Sequence, residues 1–255
     1  MQLIDTHTHL YLPEFDSDRE EVIANAVNNG VSKLLLPNIN LYTAEPMMVL
    51  VKNHPGICYP MLGLHPTSVK DDYLSHLDGL EKMTSDRRFI AVGETGIDLY
   101  WDKTFINEQI GSFRLHIELS LKLDLPIVIH SREAFREIFS VLEDFKGRNL
   151  KGVFHAFTGD IEMAEKVISM GFKLGIGGIV TFKNSGLDKV VKEIGPEHLV
   201  LETDSPYLAP VPYRGKRNES AYICIINRKL SEIFDMPVDE IAAITYSNSM
   251  ELFKL

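Results

Sequence analysis

Eight short apolar runs recur along the chain, at residues 3–5, 33–36, 58–62, 89–92, 126–129, 152–154, 172–176 and 198–201. Several place β-branched or long aliphatic side chains on consecutive positions, the pattern of parallel strands buried on both faces. The stretches between them carry apolar residues at helical spacing. Residues 16–30 open with Asp and Ser as capping candidates, set Val22, Ile23 and Ala26 on one face, and stop at Gly30. Residues 104–123 repeat the pattern with Phe113, Ile117 and Leu121, and residues 133–145 with Phe135, Ile138 and Leu142. Residues 160–170 stop before Gly171, and residues 235–255 form a last helix with Pro237 in its first turn. Eight strands alternating with helices over 255 residues predict an α/β chain, a (β/α)8 TIM barrel in a single domain spanning 1–255. The alternative is an open doubly wound sheet. The lack of a glycine-rich phosphate loop after the first run weakens it.

Two cysteines, Cys58 and Cys224, stand far apart in no motif, which excludes a disulfide framework and reads as two small buried apolar residues. No run approaches the length needed to cross a bilayer. The N-terminus, Met1-Gln2-Leu3-Ile4-Asp5, lacks the basic and apolar regions of a signal peptide, so a cytoplasmic protein without membrane partners is expected. The net charge of −10 argues against a broad duplex-binding face. It leaves room for a nucleic acid held locally by metal ions and a basic loop. No feature fixes the oligomeric state; a monomer is compatible with everything above.

The metal-type residues fall at strand ends. His7 and His9 follow the first run, two apart in an extended segment, so both imidazoles point the same way. Glu94 closes the fourth run, His130 the fifth and His155 the sixth; Asp204 lies just beyond the eighth. In a closed barrel the C-terminal strand ends converge on one face, where active sites of this fold are built. Four histidines and two carboxylates exceed the needs of one tetrahedral ion. They suit two divalent ions (zinc, manganese or magnesium) that share a carboxylate. Glu94, opposite the first strand, is expected to bridge. His7, His9 and Asp204 would complete one ion site, and His130 and His155 the other.

In this order and spacing the motifs resemble those of TatD-type deoxyribonucleases of the amidohydrolase superfamily. They are Asp5-Thr6-His7-Thr8-His9-Leu10, Gly63-Leu64-His65-Pro66, Val92-Gly93-Glu94-Thr95-Gly96-Ile97-Asp98, Pro126-Ile127-Val128-Ile129-His130-Ser131-Arg132, Gly152-Val153-Phe154-His155-Ala156-Phe157-Thr158-Gly159 and Leu201-Glu202-Thr203-Asp204-Ser205-Pro206-Tyr207-Leu208. The resemblance spans nearly the whole chain. It implies a barrel with a divalent-metal site at Glu94 and its partners, and 3′–5′ exonuclease or phosphodiesterase activity, with single-stranded or 3′ ends of DNA as the expected substrate. The chain departs from the family around residues 95–100 and at Ala156, none of them a ligand position.

Ions in such a site lower the pKa of a bound water toward neutrality and clamp a phosphodiester. Asp204 and Glu94 are then the expected catalytic pair, Asp204 orienting or deprotonating the water. His65, Arg132, Arg214 and Arg217 are the expected substrate contacts. Arg214, Lys216 and Arg217 put three charges on the loop after the eighth run. Tyr207 and Tyr213 are candidates for stacking on bases. His54, His76, His116 and His198 lie away from strand ends and read as structural or solvated; Trp101, in the loop beyond Glu94, walls the site or caps the barrel. The rival readings are a small-molecule amidohydrolase or lactonase, an esterase of aminoacylated RNA, and an inert metal-binding protein.

Overall fold

The computed structural model describes residues 1–86 and 89–255. Eight parallel strands form one sheet in sequence order: β1 Leu3–Asp5, β2 Val31–Pro37, β3 Cys58–Leu62, β4 Ala91–Asp98, β5 Ile127–Arg132, β6 Gly152–Phe154, β7 Phe172–Ile176 and β8 Leu199–Leu201. The helices among the described residues are α1 Arg19–Asn28, α2 Leu41–Asn53, α3 Tyr73–Met83, α4 Ile106–Leu123, α5 Phe135–Glu143, α6 Ile161–Ser169, α7 Leu187–Ile194, α8 Ile223–Phe234 and α9 Val238–Phe253. This is the (β/α)8 barrel that the alternating runs predict.

Alternation along the strands sorts the apolar residues into two cores. Ile4, Leu35, Met61, Ala91, Val128, Val153 and Val200 fill the barrel interior, and Leu252 and Phe253 of α9 pack against them. Their neighbours, such as Leu34, Leu36, Ile127, Ile129, Phe154 and Leu199, face the helices in a larger core. With period 2, the inner-face positions that follow Val128, Val153 and Val200 are His130, His155 and Glu202. The strands therefore place a polar layer directly above an apolar one.

The barrel closes through the residues of the site itself. Thr6 N–H donates to Leu201 O at 3.0 Å, Asp204 N–H to His7 O at 2.8 Å and His9 N–H to Ser205 O at 2.8 Å. Buried Asp5 braces the same seam, accepting the Thr203 amide at 2.9 Å and the Thr203 hydroxyl at 2.6 Å. Burial pushes its carboxyl up to about 7.

The structure differs from the sequence expectation at several boundaries. β4 runs on to Asp98 rather than stopping at 92, so Glu94 lies inside the strand. Gly93 and Gly96 look like breakers but are points of close approach. A Cβ on Gly93 would lie 2.6 Å from Val128 O, and one on Gly96 2.1 Å from His130 O. The β4–β5 register shifts between Val92 and Thr95, the interval that holds Glu94; such irregularities re-aim side chains beside active sites. α1 starts at Arg19, and its N-cap Asp18 makes no side-chain cap because its carboxylate is held by Arg217. Pro237 precedes α9 as its N-cap instead of lying in its first turn. Cys58 is buried, but Cys224 is only half-buried. Among the described residues, no helix is long and apolar enough to cross a membrane.

Candidate metal centre

The six residues expected from strand ends do converge. Glu94 sits at the centre, almost fully buried. Its Oε2 lies 3.1 Å from His7 Nε2 and 3.8 Å from His9 Nε2. Its Oε1 lies 2.8 Å from His130 Nδ1, 3.0 Å from His155 Nε2 and 3.3 Å from His65 Nε2. Asp204 Oδ1 is 3.5 Å from His9 Nε2 and 3.8 Å from His7 Nε2. His7 also stacks on His155, with ring centroids 3.7 Å apart. Asp204 adopts a left-handed backbone (φ 59°), a conformation that non-glycine residues take mainly where the surroundings impose it.

The electrostatics follow from packing these groups together in a largely buried cluster. Burial works to raise the Glu94 pKa, but the neighbouring His155, His65 and His7 outweigh it and hold the carboxylate well below its usual range. Burial works to lower His155, and the Glu94 and Glu202 carboxylates overcome it, pushing that imidazole well up. His130 is raised in the same way by Asp98 and Glu94 against burial. His7 goes down, through burial and then the charge of His155. Asp204 is lowered: burial opposes ionisation, but His9, His155 and His7 prevail. The cluster therefore keeps its carboxylates ionised and draws positive charge into a buried space.

Outer partners set which nitrogen of each imidazole faces inward. Tyr11 Oη donates to Pro37 O at 2.6 Å, so its oxygen accepts from His9 Nδ1 at 2.9 Å, and His9 Nε2 keeps its lone pair for the cluster. Asp98 Oδ2 lies 2.9 Å from His130 Nε2, leaving Nδ1 toward Glu94. Glu202 Oε1 lies 3.3 Å from His155 Nδ1, leaving Nε2 inward. Gly175 makes room for Glu202: a Cβ there would come within 2.3 Å of Oε2. Asp98 and Glu202 are absent from the residues picked out by sequence. The signal for Glu202 was present in its inner-face spacing from Val200.

These donors fit divalent ions. His7, His9 and Glu94 form a trio whose ligand atoms lie within 4.8 Å of one another, as do His7, His155 and Asp204. A third trio adds His65 to Glu94 and His130. His65 differs from the others in its tautomer. Its Nδ1 accepts the Thr67 amide at 3.2 Å, and burial keeps the ring neutral, so Nε2 carries the proton. His65 thus offers an N–H rather than a lone pair.

The cluster floors a cavity of about 1000 Å³. Arg132, Arg214 and Lys216 line its walls with Trp101 and Tyr207. Arg217 is not brought there. Its guanidinium is held by Asp18 at 2.8 and 2.6 Å and by Glu219 at 3.0 Å. Tyr213 is also elsewhere, stacked on Tyr222 at 4.3 Å. His116 is buried behind the site, while His54, His76 and His198 pair locally with Glu20, Asp72 and Glu197.

A sequence model of TatD-related DNases matches residues 4–254. The chain belongs to the TatD-related DNase family. This TatD-family chain is 36% identical over 254 residues to YabD of Bacillus subtilis, named an uncharacterized metal-dependent hydrolase, with 99% of each chain covered. It is 28% identical over 259 residues to a protein of Pantoea named 3′–5′ ssDNA/RNA exonuclease TatD, covering 99% of this chain and 100% of that one. The crystal structure of YjjV, a TatD homologue from Escherichia coli, superposes with a TM-score of 0.92 at 29% identity, covering 99% and 98% of the two chains. The TatD-family chain is a metal-dependent hydrolase, and its convergent histidines and carboxylates include groups that could hold a metal ion.

Proposed function

We propose that this hydrolase cleaves phosphodiester bonds with two divalent ions, acting as a 3′–5′ deoxyribonuclease on single-stranded DNA ends. The observation that carries the reading is the division of labour within Glu94. One oxygen faces His7 and His9, and the other faces His130 and His155. A carboxylate shared by two histidine sets is the arrangement a bridging ligand requires. His7, His9 and Asp204 would hold one ion with Glu94, and His130 and His155 the other. Imidazole-rich donors favour zinc or manganese over magnesium, which prefers oxygen and retains its waters. Bound there, the ions supply a water acidified to near neutrality and a positive clamp for phosphate.

The chain's own groups supply the rest. Asp204, ionised and at the cavity edge, orients the attacking water and takes its proton. His65 directs its Nε2–H toward the same space and donates to a phosphate or leaving-group oxygen. Arg132 and Arg214, with Lys216, offset the acidic surface where a phosphate chain would enter. The cavity volume lies at the upper end of small-molecule sites, in keeping with a polymer end. Strand polarity and single-strand preference rest on the name of the Pantoea relative.

The test is a single-stranded oligonucleotide labelled at its 5′ end and incubated with metal-loaded protein. The reading expects a ladder that shortens from the 3′ end. Intact DNA alongside turnover of lactones, cyclic amides or aminoacyl-RNA would contradict it.

A further inference from the structure

We propose that Trp101 is a nucleobase-stacking platform that holds an unpaired base beside the scissile phosphate and sets a preference for single strands over duplexes. The inference rests on the phosphodiesterase reading above. Trp101 is the only tryptophan in the chain. It is 68% exposed, so the barrel's packing does not explain it. Its ring lines the same cavity as Glu94 and His130.

The platform is held in place from below. Asp98 Oδ1 accepts the backbone amides of Tyr100 at 3.0 Å and Trp101 at 3.1 Å. The other oxygen of Asp98 holds His130 at 2.9 Å. One buried carboxylate therefore ties the rim to the floor, and the ring is presented on a pre-ordered turn rather than a loose loop. Preordering of this kind removes part of the entropy that binding must otherwise overcome.

Charge lies beside the ring. The Arg132 guanidinium stands 4.0 Å from the Tyr100 ring centroid and 5.5 Å from that of Trp101. A base stacked on Trp101 would carry its backbone phosphate within reach of that cation. Across the cavity, after β8, the half-exposed Tyr207 ring stands edge-on to His9 at 6.1 Å. The cavity thus has a metal-type floor with an aromatic ring on the loop after β4 and another on the loop after β8. A phosphodiester flanked by two nucleosides has the matching layout. Within a duplex both faces of an internal base are already stacked on its neighbours, and pairing holds a terminal base in line with the helix, so an unpaired base is the one free to turn a face to the ring beside the metal-type floor.

The single tryptophan makes the test direct. Metal-loaded protein is titrated with a phosphorothioate-linked oligothymidylate, which resists hydrolysis, and with an abasic oligomer of equal length. The proposal expects Trp101 fluorescence to be quenched by the first and not by the second or by a blunt hairpin duplex. In turnover assays, the kcat/KM ratio for oligothymidylate over its abasic analogue should fall about tenfold in Trp101→Ala and recover in Trp101→Phe. Unchanged fluorescence at saturation, or the same ratio in Trp101→Ala as in wild type, would overturn the platform. The two readings fail separately: turnover without quenching removes the platform and keeps the phosphodiesterase, whereas quenching without turnover of any phosphodiester does the reverse.

Discussion

The outer ring nitrogen of His155 stands 3.3 Å from the carboxylate of Glu202, and both side chains are buried. An anion behind an imidazole fixes the inward tautomer and raises the basicity of the inward nitrogen. Glu202→Gln keeps the size of the side chain that the Gly175 gap admits but removes the charge. It is expected to weaken metal affinity by about ten- to a hundredfold. Competition with a metal-sensitive chelator measures this. An affinity equal to wild type, in a protein with an unchanged melting temperature, would remove Glu202 from the centre.

Arg214 and Lys216 line the cavity, while Arg217 is engaged by Asp18 and Glu219. Neutralising Arg214 and Lys216 together should raise KM for single-stranded DNA several-fold at low salt. The effect should shrink as salt screens the wild-type attraction. Arg217→Gln should instead lower the melting temperature and leave the salt dependence of KM as in wild type. Salt titrations of KM for the two variants separate the roles.

His116 accepts the Leu64 amide on Nε2 at 3.0 Å and donates from Nδ1 to Ser112 O at 2.7 Å, which pins the backbone just before His65. Burial pushes its pKa down to about 4 from the ordinary 6.5, against the smaller opposing effect of the Ser112 bond. Between these values the unfolded chain binds a proton that the folded chain refuses. Stability from this group is therefore complete above pH 6.5 and lost as pH falls toward 4, on the order of 3 kcal/mol in all. Melting temperatures measured with chelator present should fall less steeply through this window in His116→Gln than in wild type. Parallel pH profiles would contradict this account of His116.

Much of the fold is legible in the sequence because both-face burial of parallel strands leaves continuous apolar runs. The expected ligand residues are legible because each stands within four positions past such a run. The apolar run at 89–92 stops short of β4's end because Gly93 and Gly96 carry no strand propensity. They are there to let β4 and β5 backbones approach closely, a tertiary demand that no local pattern displays. Asp98 is not displayed by the local pattern either, since it ends the part of β4 that the apolar run does not reach. Arg217 reads as a free cation because its partner Asp18 is 199 residues away in the chain. Likewise Asp16 and Ser17 read as helix caps, whereas the N-cap of α1 is Asp18, whose carboxylate goes to Arg217. Pairings at that separation are set by the closing of the barrel and not by local sequence.

Glu94 is placed to serve two ions at once, which the metal content of purified protein after saturation and removal of excess ion reads out. Two ions per wild-type chain and loss of both from Glu94→Gln are expected, because each set of histidines faces one oxygen of that carboxylate. A wild-type chain that saturates with one ion, or a Glu94→Gln chain that retains two with wild-type affinity, would contradict it.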